Sequence, residues 1–164
     1  MTERLIRRKR PARLTKTVEC VLAAAANLRN LAELHPACRL RARLVYDPRD
    51  PFAVAIEVAQ KKPVTWCLSR ELLQEGASGV RVDPLGVGDV RVRRETTPTS
   101  TRSAWLRDEV LLELSSPDGR ACLWVPTAPL QQFLDATYYA VPAGTESSRI
   151  EWDAGLRALI GDPA

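Results

Sequence analysis

From residue 39 the chain alternates. Arg39, Arg41 and Arg43 interleave with Leu40, Ala42 and Leu44, a period of two that sets three guanidiniums on one face of a strand and three apolar groups on the other. Val54, Ile56 and Val58 repeat the pattern, the polar Gln60-Lys61-Lys62-Pro63 turn interrupts it, and Val64, Trp66 and Leu68 resume it. Three strands joined by short turns predict an antiparallel meander. Ser69 stands where a helix N-cap belongs, and Arg70 to Glu75 predict about two turns of helix, ended by Gly76. Val90 and Val92 alternate with Arg91 and Arg93 in a further strand, and the Ser/Thr/Pro-rich stretch Thr96 to Ser103 reads as a mobile loop. Leu106 to Leu114 and Ala121 to Val125 flank Ser116-Pro117-Asp118-Gly119 as a hairpin. Thr127 and Pro129 then start a helix that carries Leu130, Phe133, Leu134 and Tyr138 on one face and is stopped by Pro142 and Gly144. A last amphipathic turn or two carries Trp152, Leu156, Leu159 and Ile160.

Thr15 to Leu34 is two-valued: it is rich in helix formers, yet Val18, Cys20 and Leu22 alternate as in a strand. Strands followed by a helix occur twice, which predicts an α+β fold with a pseudo-duplicated sheet-plus-helix unit.

The length of 164 residues suits one domain, enough to bury about two thirds of the unfolded surface. No apolar run approaches the roughly 18 uncharged residues that span a bilayer, and the arginine-rich N-terminus lacks a secretory apolar segment, so the expected location is cytoplasmic. Cys20, Cys38, Cys67 and Cys122 lie far apart and the sole histidine is His35, a spacing that suits free, mostly buried thiols better than a zinc site or a disulfide. The net charge of +4 is unevenly spread. Arg4, Arg7, Arg8, Lys9, Arg10 and Arg13 stand against Glu3 alone in residues 1–14, while 15–164 holds 18 basic and 19 acidic residues. Residues 1–14 therefore read as a basic disordered arm able to meet an anionic membrane or nucleic acid phosphates, and 15–164 as a single domain.

No catalytic constellation emerges. Asp47 and Asp50 precede prolines and are explained as turn formers whose carboxylates cap the corner between two apolar runs, and His35 precedes Pro36 in a connection. Gly86-Val87-Gly88-Asp89 leads into a strand, not a helix N-terminus, so it lacks the donors and dipole of a phosphate loop. The residues point to no cofactor and no metal. The arginine face formed by Arg39, Arg41, Arg43, Arg91 and Arg93 is open to three uses: a solvated or internally paired surface, a protein-partner patch, or a groove for single-stranded nucleic acid. Trp124 and Tyr139 are the aromatics least explained by one-sided burial and are candidate interface residues.

Five motifs occur in order: LVYDPRDPFAV at Leu44 to Val54, VTWCLSRELLQEG at Val64 to Gly76, GVGDVRV at Gly86 to Val92, LSSPDG within Leu112 to Leu134, and AVPAGTE at Ala140 to Glu146. In order and spacing they resemble the SsgA-like proteins of sporulating actinobacteria, over roughly Tyr46 to Leu159. The resemblance implies a first strand near Thr17 to Ala25, with Asn27 to Ala37 as a connection or short helical turn. The short helix then follows the fourth strand, C-terminal helices cover the antiparallel sheet, and the arrangement is Whirly-like, assembled as a homotrimer. It also implies a non-enzymatic scaffold or regulator of sporulation-specific cell division at septum sites, acting in septum-site placement or cell-wall remodelling. The partners it implies are other SsgA-like proteins and the division GTPase FtsZ or other division and wall-synthesis proteins. The alternative is a single-stranded nucleic-acid-binding module.

Overall fold

The computed structural model describes residues 12–24, 38–60, 63–80, 83–86, 88–98, 106–117 and 119–150. Seven antiparallel strands form one sheet: β1 (Leu14–Ala24), β2 (Cys38–Tyr46), β3 (Ala53–Val58), β4 (Val64–Ser69), β5 (Val90–Pro98), β6 (Leu106–Ser116) and β7 (Gly119–Pro126). The order across the sheet is β4-β3-β2-β1-β7-β6-β5, so the two meanders meet where β1 pairs with β7. Helix α1 (Arg70–Ser78) follows β4, helix α2 (Thr127–Ala140) follows β7, and a 3-10 turn spans Glu146–Arg149.

The sheet has an apolar inner face and a charged outer one, as alternation requires. Val92, Leu112, Leu123 and Leu22 form one inner row through successive register pairs, and Cys20, Leu40, Ala42, Leu44, Val54, Ile56 and Leu68 continue that face. Helix α2 covers it with Leu130, Phe133 and Leu134, each contributing on the order of 1.5–3 kcal/mol by burial. The strand alternative for Thr15 to Leu34 holds for its first part, because Val18 and Cys20 are buried against β2 and β7. The meander, the hairpin, and helices after the fourth and the last strand are as the pattern predicts.

Three details differ. Strand β1 opens at Leu14, so the folded body begins before residue 15 and takes in the end of the basic arm. Strand β5 runs to Pro98, so Thr96 to Pro98 belong to the ladder with β6, while residues 99–103 lie outside the described residues, as do 25–37 and the C-terminal turn at 151–164. Gly76 does not end α1. The helix continues to Ser78 and is closed by Gly79 in the left-handed conformation (φ 71°), with Ser69 Oγ accepting the Leu72 N–H at 3.2 Å at the other end. Gly76 is instead the point of closest approach between α1 and β5, where a Cβ would lie 2.3 Å from Val92 Cγ1 and 2.7 Å from its Cβ.

The thiols agree with a folded, reduced interior. Cys20 and Cys122 are free and buried, and burial pushes both up to about 11, while Cys67 is free and exposed on β4. Gly76→Ala is expected to destabilise the fold by about 1–3 kcal/mol in urea denaturation, because overpacking against Val92 outweighs the roughly 1 kcal/mol gained in helix propensity.

Candidate functional site

Arg70 opens α1, yet its side chain is 2% exposed. A cation in the first turn of a helix faces the positive end of the dipole, and an isolated buried charge costs several kcal/mol, so other groups must hold it. They come from three distant segments. Nη1 donates to Tyr46 Oη at 3.0 Å, to the Thr137 carbonyl at 3.1 Å and to the Val141 carbonyl at 2.8 Å, and Nη2 donates to Glu146 Oε1. The guanidinium carbon lies 4.0 Å from the Tyr138 ring centroid and 5.3 Å from that of Tyr46. Tyr46 Oη in turn donates to the Pro51 carbonyl at 3.3 Å, and the Arg70 N–H donates to the Phe52 carbonyl at 2.8 Å. The β2–β3 corner, the start of α1, the end of α2 and the Val141-to-Glu146 loop thus converge on one cation. Burial raises the Tyr46 and Tyr138 phenols above their ordinary value. The Glu146 carboxyl is held below the usual range, first by its own backbone N–H and then by Arg70.

Asp47 organises the adjacent corner. Its carboxylate accepts the Arg49 N–H at 3.0 Å and the Arg13 Nε at 2.8 Å and pairs with the Arg49 guanidinium, which above all holds it well below the usual carboxylate range. Asp50 contributes its backbone, donating to the Asp47 carbonyl at 2.8 Å and accepting from Ala53 at 3.3 Å. Arg13 is thus part of the folded body, whereas Arg4, Arg7, Arg8, Lys9 and Arg10 lie outside the described residues.

The outer face brings several predicted residues together. Arg39, Val21, Trp124, Leu111 and Arg93 form one row across β2, β1, β7, β6 and β5. Its chemistry is mixed rather than basic, since Glu19, Glu57, Glu95, Glu109 and Glu113 are interleaved with the five arginines. Arg41 reaches Glu19 at 4.0 Å, Arg43 pairs with Glu57, and Arg93 meets Glu95 at 2.6 Å and Glu113 at 3.9 Å. The exposed pairs of Arg41 and Arg43 contribute only about 0–1 kcal/mol each, but together with the more buried pairs of Arg93 they answer phosphate-seeking cations internally. Arg39 and Arg91 are exposed. Trp124 is half-buried over Leu111 and Cys122 and donates Nε1 to Glu95 at 3.2 Å, so part of it is structural. Tyr139 stands apart on α2, 92% exposed. A cleft of about 490 Å³ opens where β7 leaves β1, lined in part by Glu19, Arg41, Glu109 and Pro126, and its mixed charge suits polar protein surface. Among the described residues no three histidine, cysteine or carboxylate side chains gather as a metal site.

Sequence reasoning read Arg70 only as a helical residue. The signal was its sign: an arginine straight after the N-cap, where acids are favoured, needs a tertiary partner. Arg70→Ala is expected to cost more than about 3 kcal/mol in urea denaturation, with Arg70→Lys between it and the wild type, because an ammonium cannot serve the same fan of acceptors and stack on Tyr138. Asp47 binds its proton more weakly folded than unfolded, so its contribution is complete above about pH 5 and fades as acid protonates the unfolded chain near pH 4 and then the folded one. The stability gap between wild type and Asp47→Asn should therefore narrow from pH 7 to pH 3 in urea titrations.

The comparisons with known proteins fall on the same residues. The family described as Streptomyces sporulation and cell division protein, SsgA, matches residues 40–146, ending on the carboxylate that closes the Arg70 cluster. The sporulation-specific cell division protein SsgB of Salinispora tropica is 39% identical over 138 residues, covering 82% of this chain and 89% of that protein. SsgB of Streptomyces coelicolor is 33% identical over 151 residues, covering 91% and 99%. The solved structure of an SsgA-like sporulation-specific cell division protein from Thermobifida fusca superposes with a TM-score of 0.68 at 31% identity, covering 92% of this chain and 98% of that one. A match spanning most of the fold and every segment that meets at Arg70 places this chain in the SsgA-like family of sporulation and cell division proteins.

Proposed function

We propose that this chain is a non-enzymatic docking scaffold of sporulation septation, acting in septum-site placement or cell-wall remodelling through protein contacts. One observation carries the reading: the motif residues Tyr46, Arg70 and Glu146 meet one another in the interior, Asp47 is engaged by Arg49 and Arg13 at the adjacent corner, and all four are consumed in holding the fold. Recognition is then left to the exposed surface, including Tyr139, Arg39 and Arg91. No helix among the described residues is long and apolar enough to cross a membrane, so location at the septum rests on partners, with the arm of residues 1–14 adding attraction to anionic lipid. In this reading the doubled sheet-plus-helix unit is Whirly-like and three copies assemble, so that a weak patch repeated three times engages a filament of FtsZ, or a second SsgA-like protein, about 10²–10⁴ times more tightly than one patch alone.

Co-sedimentation with polymerised FtsZ tests this. The full chain is expected to pellet with filaments and Tyr139→Ser to pellet less at unchanged melting temperature, while light scattering reports a trimer. A monomer that never co-pellets would remove the reading.

A further inference from the structure

The sheet has two edges and they are finished differently. On β5 the backbone groups of Val92 point away from β6 and exchange both hydrogen bonds with Leu85, each at 2.8 Å, so the loop before the strand plugs that edge. Gly86 makes the plug possible, with φ 114° and only 2.3 Å between the site of a Cβ and the Val90 carbonyl oxygen.

Among the described residues strand β4 carries no such plug and pairs with β3 alone. The phase of its ladder follows from the bond between the Arg70 N–H and the Phe52 carbonyl, which extends the β3–β4 register one step and makes Val54–Leu68, Ile56–Trp66 and Val58–Val64 the hydrogen-bonded pairs. The bond from the Ala59 N–H to the Arg41 carbonyl gives the same phase, since it turns the odd residues of β3 toward β2. The N–H and C=O groups of Thr65 and Cys67, and the N–H of Ser69, therefore point away from the sheet. The residues are exposed, Val64 among them at 40%, and Val64 to Ser69 is uncharged and rich in strand formers.

The inner side of this edge opens on a groove of about 480 Å³, floored by Leu22, Val58 and Leu114, walled by Val64 and Trp66, and bounded opposite by the β6–β7 hairpin at Gly119 and Arg120. That geometry selects the occupant. Among its described lining residues Arg120 is the one charged side chain, no carboxylate answers it and the edge itself is neutral, so charge complementarity favours a segment without cationic side chains. The facing hairpin bounds the room on that side, and the β4 of a second copy would arrive with its own β3 and α1 attached.

We propose that β4 receives an extended segment of a partner protein by antiparallel strand addition. Thr65, Cys67 and Ser69 supply the hydrogen bonds, and every second side chain of the segment, large and apolar, enters the groove beside Trp66. The inference deepens the docking reading and rests on it for the class of partner, but its measurement is independent of FtsZ.

The probe is a displayed library of random dodecapeptides selected on the full chain. Thr65→Pro and Cys67→Pro each delete one outward donor and leave every β3–β4 bond in place, so both should keep the wild-type circular dichroism. Selected peptides are expected to bind the wild type at least about tenfold more tightly than either variant and to protect the amides of Thr65, Cys67 and Ser69 from hydrogen exchange. Should both variants lose their fold, the amide protection decides alone. Peptides that protect other amides, or a library with no binder, overturn the proposal. It is equally overturned if those amides are protected in the free chain, which means the chain covers its own edge, or are protected only as concentration rises, which means a second copy covers it.

Discussion

A guanidinium removed from water is the constraint around which this fold closes. Arg70 can be buried only if a carboxylate, backbone carbonyls and aromatic faces surround it, and the chain supplies them from Tyr46, Thr137, Tyr138, Val141 and Glu146. Hydrophobic burial alone would tolerate α2 sliding over the inner face, because apolar contact is not directional. The fan of acceptors is directional, and fixes where α2 ends against α1 and the β2–β3 corner.

This arrangement gives the interior and the outer face different charge chemistry. The ionised groups with the fullest sets of partners, Arg70 and Asp47, serve the interior and the corner, while the outer face carries paired charges of both signs. A surface of alternating sign repels neither a basic nor an acidic neighbour strongly. The edges of the sheet add a second kind of asymmetry, one sealed by Leu85 and one that, among the described residues, pairs with β3 alone.

Much of this was legible in the sequence because strand alternation and capping residues are local signals. The meander from Arg39 to Leu68, the Ser69 cap and the hairpin at Ser116 to Gly119 follow from periods and turn chemistry. Gly76 misled because glycine has two uses, ending helices and admitting close neighbours, and only the position of Val92 decides between them. The outer face stayed open for a similar reason. Arginines counted on one strand fit a paired, a docking or a nucleic-acid surface alike, and the internal pairing emerges only because Glu57 and Glu19 stand opposite Arg43 and Arg41 on neighbouring strands, a register that is not a local property. The Arg70 cluster was the least visible part, since its members are drawn from across the chain.

That dispersal has a kinetic corollary. The ion pair joins residues 76 positions apart, and its arginine gains acceptors only once both meanders and α2 are docked. Contacts of such long range form after the nucleus, so the cluster acts mainly as a brake on opening and hardly at all as an accelerator of folding. Its lasting effect is longevity of the native state.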